Sequence, residues 1–92
     1  MTPREAAKAL CLELDKCGLV PIPRKGMVIE VYKGEQCQTV LLRETSEGHH
    51  WFWVWEPFRT DQEHDYDRAL PLGQEREFAR RICGVLSIPK VG

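Results

Sequence analysis

The stretch His49-His50-Trp51-Phe52-Trp53-Val54-Trp55-Glu56-Pro57 (HHWFWVWEP) holds all three tryptophans of a 92-residue chain. Its centre is a run of large aromatic and β-branched side chains, which reads as a strand. Alternation along a strand sends Trp51, Trp53 and Trp55 to one side and Phe52 and Val54 to the other. Both sides need cover, and the fold turns on which of them faces the interior.

Two further strands precede it. Met27–Tyr32 reads MVIEVY and Gln36–Arg43 reads QCQTVLLR, with a tight turn at Lys33-Gly34-Glu35 between them. The third strand spans residues 50–56. Short connections favour antiparallel pairing, so a three-stranded meander is expected. A tight turn groups Ile29 and Val31 with Val40 and Leu42 on an aliphatic face. In one register Phe52 and Val54 complete that face. The tryptophans then join Tyr32, Thr39, Leu41 and Arg43 on the opposite side. The polar loop Glu44–Gly48 leaves the register open, and a slip of one residue puts the tryptophans under the helices instead.

The chain begins with a helix signal. Thr2-Pro3-Arg4-Glu5 fits a capping box with proline at the first helical position. Ala7, Leu10, Cys11 and Leu14 follow at helical spacing, which predicts a helix over 3–17. Gly18 is placed to end it. Leu19-Val20-Pro21-Ile22-Pro23 reads as an apolar connector, because its prolines are unsuited to a central strand. Arg24-Lys25-Gly26 is a turn. Residues 57–72 carry Asp61, Glu63, Asp65 and Asp67 with little apolar content, and read as an acidic surface loop. A last helix is expected over 73–87, with Phe78, Ile82, Val85 and Leu86 inward and Arg76, Arg80 and Arg81 outward or bordering. The expected fold class is α+β in one domain, 1–92. Its order is α-β-β-β-α, a three-stranded antiparallel meander with two helices packed on one face.

Net charge is −1, which argues against a strong sequence-independent nucleic-acid binder, since that needs a basic footprint. No apolar run reaches the roughly 18 residues of a membrane span, and the N-terminus lacks the pattern of a signal peptide. A cytoplasmic location follows as the expectation. Cys11, Cys17, Cys37 and Cys83 match no zinc spacing and read as reduced thiols, mostly small buried hydrophobes. His49 and His50 point to opposite faces, so with His64 they make no evident metal site. Asp61-x-Glu63-x-Asp65-x-Asp67 fails as a calcium loop, because position six is Tyr66 and position twelve is Leu72. No cofactor and no metal are expected. A Cys37–His50 pair across strands is the one enzymatic arrangement to test, and nothing surrounds it with a base or oxyanion donors.

The element order looks like the double-stranded RNA-binding domain. That family has a lysine-rich entry to its last helix, and the matching stretch Gly73–Arg81 is of mixed charge here, so the likeness is one of fold. A closer resemblance covers nearly the whole chain. TPREAAKALCLEL, QTVLLR, WFWVWEP and EFARRICGVLSIP resemble small actinobacterial proteins of unknown function. Those have an Ala/Leu-rich first helix, a WFWxW strand and a terminal AARRIxRVL-type helix. The resemblance implies a bacterial cytosolic protein and supplies no functional residues.

The functional expectation is a non-enzymatic protein-interaction or regulatory module. Its partner is another protein or a second copy in a homodimer. The candidate partner-binding residues are Trp51, Trp53, Trp55, Tyr32, Leu41 and Arg43, an aromatic sheet face with an arginine anchor. The alternative is single-stranded nucleic-acid binding by stacking on the same face, with Arg43, Arg59 and Arg80 supplying charge.

Overall fold

The computed structural model describes residues 2–54 and 66–87, with Tyr66 described by its backbone alone. The element order is α1 (Pro3–Lys16), β1 (Val20–Arg24), β2 (Val28–Lys33), β3 (Gln36–Thr45), β4 (Gly48–Val54), β5 (Tyr66–Pro71) and α2 (Glu75–Leu86). The class is α+β, as expected. The sheet has five antiparallel strands in the order β1-β2-β3-β4-β5, not three. No helix among the described residues is long and apolar enough to cross a membrane.

The two additional strands are its edges. Val20–Arg24, expected as part of the connector 19–23 and the first residue of a turn, pairs with β2 through Val20↔Tyr32, Ile22↔Glu30 and Arg24↔Val28. Its prolines exclude a central position, but an edge strand needs hydrogen bonds on one side only. Tyr66–Pro71, expected within the acidic loop, pairs with β4 on the other edge. Acidic residues at its start masked the apolar pair Ala69 and Leu70, which pack against the core. Residues 57–65 of the expected loop, with Arg59 and His64 among them, lie outside the described residues, as do Trp55 and the chain end after Ser87.

Turn chemistry sets the register. Between β2 and β3 the loop is Gly34-Glu35, with Gly34 at φ 60. A positive φ at the first central position suits the type II′ hairpin, whose twist matches that of the strands. Between β3 and β4 the loop is Ser46-Glu47, since Thr45 already pairs with Gly48. The Thr45 hydroxyl accepts from the Glu47 N–H at 3.1 Å and donates to the Gly48 carbonyl at 2.7 Å. Gly48, at φ 101, completes the reversal. This short turn places Leu42 opposite Trp51 and Val40 opposite Trp53. Phe52 faces Leu41 and Val54 faces Thr39 on the other side. The slipped register is the one adopted.

Both helices therefore cover the face that carries Ile29, Val31, Val40, Leu42 and Trp51. α1 starts with the capping box. Thr2 donates its N–H to Glu5 Oε1 at 2.9 Å, and Glu5 returns its N–H to Thr2 Oγ1 at 3.2 Å. That hydrogen bond from the Thr2 backbone holds the Glu5 carboxyl below its usual range. α1 buries Ala6, Leu10 and Leu14, and α2 buries Glu75, Phe78, Ala79, Ile82 and Leu86. Phe78 lies between two indoles, with ring centroids 5.6 Å from Trp51 and 5.0 Å from Trp53, the second edge-on. Such aromatic contacts contribute about 0.5–1.5 kcal/mol beyond the area they bury.

On its outer side α2 is held by Glu77, which takes Arg80 at 2.7 Å and Arg81 at 3.1 Å. These hydrogen bonds lower the Glu77 carboxyl to about 2, while an unfolded chain returns it to about 4.5. The depressed value makes the pair stabilising above pH 4.5, with the contribution lost as pH falls toward 2. Glu77→Gln is therefore expected to lower stability at neutral pH, to flatten the acid limb of the stability–pH profile between pH 4.5 and 2, and to meet the wild-type curve near pH 2. Urea midpoints measured across that range test it.

Candidate functional site

The six residues expected to form one binding face are divided between two. Trp51 is fully buried and Trp53 is half-buried against the same core. Tyr32, Leu41 and Arg43 project from the opposite side, as their strand partners Cys37, Phe52 and His50 require. Trp55 lies beyond the described part of β4. An aromatic face made by tryptophans beside Tyr32, Leu41 and Arg43 is not assembled.

The side of the sheet away from the helices is the candidate site that remains. β1 and β2 build its more open half from Val20, Ile22, Val28 and Tyr32. Val20 is 56% exposed, one of two large hydrophobics so open among the described residues; the other is Leu12 on α1. Leu41 and Val54 are buried at the centre of the face, outside the helix-side cluster. The polar groups here are tied to one another. Glu30 Oε1 accepts from Arg24 Nε and from the Tyr32 hydroxyl, each at 3.0 Å. The hydrogen bond to Glu30, and then the one to Cys37, push the Tyr32 phenol above its ordinary value. Arg43 donates to the Gly26 carbonyl at 2.6 Å and to the Leu42 carbonyl at 3.0 Å, which clamps the β1–β2 turn onto β3. Arg68 pairs with Glu47 at 2.7 Å.

Sequence reasoning missed Val20 and Ile22, because their prolines hid a strand. The signal was present: in Val20-Pro21-Ile22-Pro23 the prolines alternate with apolar residues at period two. It also missed Glu75. That carboxylate is 4% exposed and takes the Trp51 indole N–H at 2.9 Å and the Gly73 N–H at 2.9 Å.

The Cys37–His50 pair does not form. Cys37 lies opposite Tyr32 and His50 opposite Arg43, six positions away along β3, or about 20 Å at strand spacing. Cys37 and Cys17 are exposed rather than buried, while Cys11 and Cys83 are half-buried. A cleft of about 450 Å³ lies between the end of α1 and the start of α2, lined in part by Glu13, Cys17 and Glu77. Although Cys17 is exposed, partial desolvation by its surroundings, followed by the neighbouring Cys83, pushes its thiol up, which is the wrong direction for a nucleophile. Burial and then Asp15 do the same to Cys11. Among the described residues no group of three or more His, Cys, Asp or Glu is arranged to hold a metal ion. The chain matches no family model, no curated protein and no solved structure.

Proposed function

We propose that the protein is a non-enzymatic interaction module that pairs with a second copy through the side of the sheet its helices leave open. The observation that carries this reading is the apolar strip Val20, Ile22, Val28 and Tyr32 on β1 and β2, with Val20 more than half exposed. A two-layer fold gains further burial by covering such a strip. Edge-to-edge pairing through β1 is disfavoured, because Pro21 and Pro23 have no N–H to offer a neighbouring strand. Face-to-face association is the remaining geometry for this half of the sheet, and a twofold axis lets one strip serve both partners. The Arg24–Glu30–Tyr32 cluster lies within the strip and gives it a fixed polar centre.

Nucleic-acid stacking finds less support on the same face. Arg24 is bound to Glu30, Arg68 to Glu47 and Arg43 to a main-chain carbonyl, so these cations are already engaged. Among the described residues two hydroxyls lie beside a basic nitrogen, Thr45 Oγ1 3.2 Å from His50 Nδ1 and Ser87 Oγ 3.4 Å from Lys33 Nζ, but each donates to a main-chain carbonyl, of Gly48 and of Cys83.

The test is oligomeric state by sedimentation equilibrium across a concentration series. The wild-type chain is expected to form a dimer, and Val20→Glu a monomer with a melting temperature within a few degrees of wild type. Leu12→Glu, equally exposed but on α1, is expected to leave the dimer intact. A wild-type chain that stays monomeric, or a Val20→Glu dimer of unchanged affinity, removes the proposal.

A further inference from the structure

An apolar groove opens between the first half of α1 and the β1–β2 turn. Its volume is about 330 Å³, at the lower end of the range for small-molecule sites, about 300–1,000 Å³. Ala7 and Cys11 form one wall, and Pro23, Met27 and Ile29 the other. The exposed wall surface is almost wholly apolar.

Three exposed cations also line it: Arg4, Lys8 and Arg24. Arg24 is bound to Glu30. Arg4 and Lys8, four residues apart and so on one side of α1, have no carboxylate partner among the described residues. Lys25 and Arg76 likewise have no carboxylate partner among the described residues, but they do not line this groove's apolar walls. Met27, on the groove wall, has φ 60 and is the one non-glycine residue with positive φ among those described. Strained backbone of this kind concentrates at ligand clamps and switch regions.

We propose that this groove binds a free medium-chain carboxylate, with the alkyl chain between α1 and the β1–β2 turn and the carboxylate on Arg4 and Lys8. Charge complementarity selects the occupant. An extended peptide would leave backbone donors and acceptors without partners on these apolar walls, and a groove of about 330 Å³ is too small for the face of a helix. The unpaired guanidinium of Arg4 offers a fork that matches a carboxylate. A groove of this size takes one chain, which favours a free monomeric amphiphile over a two-chain lipid. Arg24 and Val28 border both this groove and the strip on the open side of the sheet, but the carboxylate contacts on Arg4 and Lys8 and the wall at Cys11 lie on α1, away from that strip.

The full chain is titrated with hexanoate, octanoate and decanoate, followed by amide chemical shifts. Affinity is expected to tighten about fourfold for each added methylene, as burial of a CH₂ group dictates, until the groove is filled. The double variant Arg4→Gln/Lys8→Gln changes exposed side chains and keeps the fold. It is expected to weaken decanoate binding about tenfold, the worth of one charge-assisted hydrogen bond, and to leave 1-decanol unaffected. Bound decanoate is also expected to slow alkylation of Cys11, which needs no variant. Affinity independent of chain length, equal binding of decanol and decanoate, or unprotected Cys11 would each overturn the proposal.

Discussion

Trp51→Ala is expected to leave a chain that is largely unfolded at 37 °C. The indole is fully buried, opposite Leu42 on β3 and against Phe78 on α2. Truncating a buried tryptophan to alanine costs about 3–5 kcal/mol in lost transfer free energy and residual cavity. A second loss adds to it, because the Glu75 carboxylate is buried and loses its indole donor. A domain of this size holds about 5–15 kcal/mol in total, so the change removes from about a fifth to all of its stability before the loss at Glu75 is added. Trp51→Phe keeps most of the ring volume and is expected to fold with a lowered urea midpoint. Far-UV circular dichroism against urea measures both variants. A Trp51→Ala chain with wild-type stability would mean that this side of the sheet is not the interior. The tryptophans would then return as the partner face.

Alternation in HHWFWVWEP was enough to divide its side chains into two sets, and the aliphatic set Ile29, Val31, Val40 and Leu42 was readable in the same way. Assigning the indoles to that set needed the length of one turn. Glu44–Gly48 looks like a five-residue polar loop, since charged and small residues fill it. In the fold it contributes two loop residues, because the Thr45 hydroxyl bonds to both Glu47 and Gly48 and lets the strands run on to Thr45 and Gly48. A side chain that competes for backbone groups leaves no trace in hydrophobic periodicity. The edge strands were hidden for a related reason. Val20–Arg24 is rich in proline and Tyr66–Pro71 begins with polar residues. Such features exclude a central strand and are compatible with an edge. The helices were legible almost to the residue, because α1 has a capping box and both have apolar stripes at i, i+3, i+4 spacing. Of the candidate site, Tyr32, Leu41 and Arg43 share one face of the sheet, whereas Trp51 and Trp53 lie on the other.

Removing the Glu75 carboxylate is expected to cost about 2–4 kcal/mol, far more than a substitution on an outward position of α2. Glu75 is the first residue of that helix, after Gln74, whose side chain makes no cap hydrogen bond. Its Oε2 accepts from the Trp51 indole and from the Gly73 N–H, each at 2.9 Å. The carboxylate thus joins the start of α2 to β4 across the core, and the positive end of the helix dipole favours its charge. Hydrogen bonds to a charged group are worth about 1.5–3 kcal/mol each, and they are not additive when they share one oxygen. In Glu75→Ala the indole N–H is left buried without an acceptor, and the helix loses the group that satisfies the Gly73 N–H. Glu75→Gln, with its amide oxygen in the place of Oε2, keeps an acceptor for both donors but loses the charge, and is expected to recover about half of the loss. A double-mutant cycle with Trp51→Phe separates the bond from helix propensity, since phenylalanine offers no donor to Glu75. A coupling energy of about 1–3 kcal/mol from urea denaturation is the expected value, within the range for residues in direct contact. Additivity within about 0.3 kcal/mol would show that the carboxylate acts on α2 alone and that Trp51 is held by packing without it.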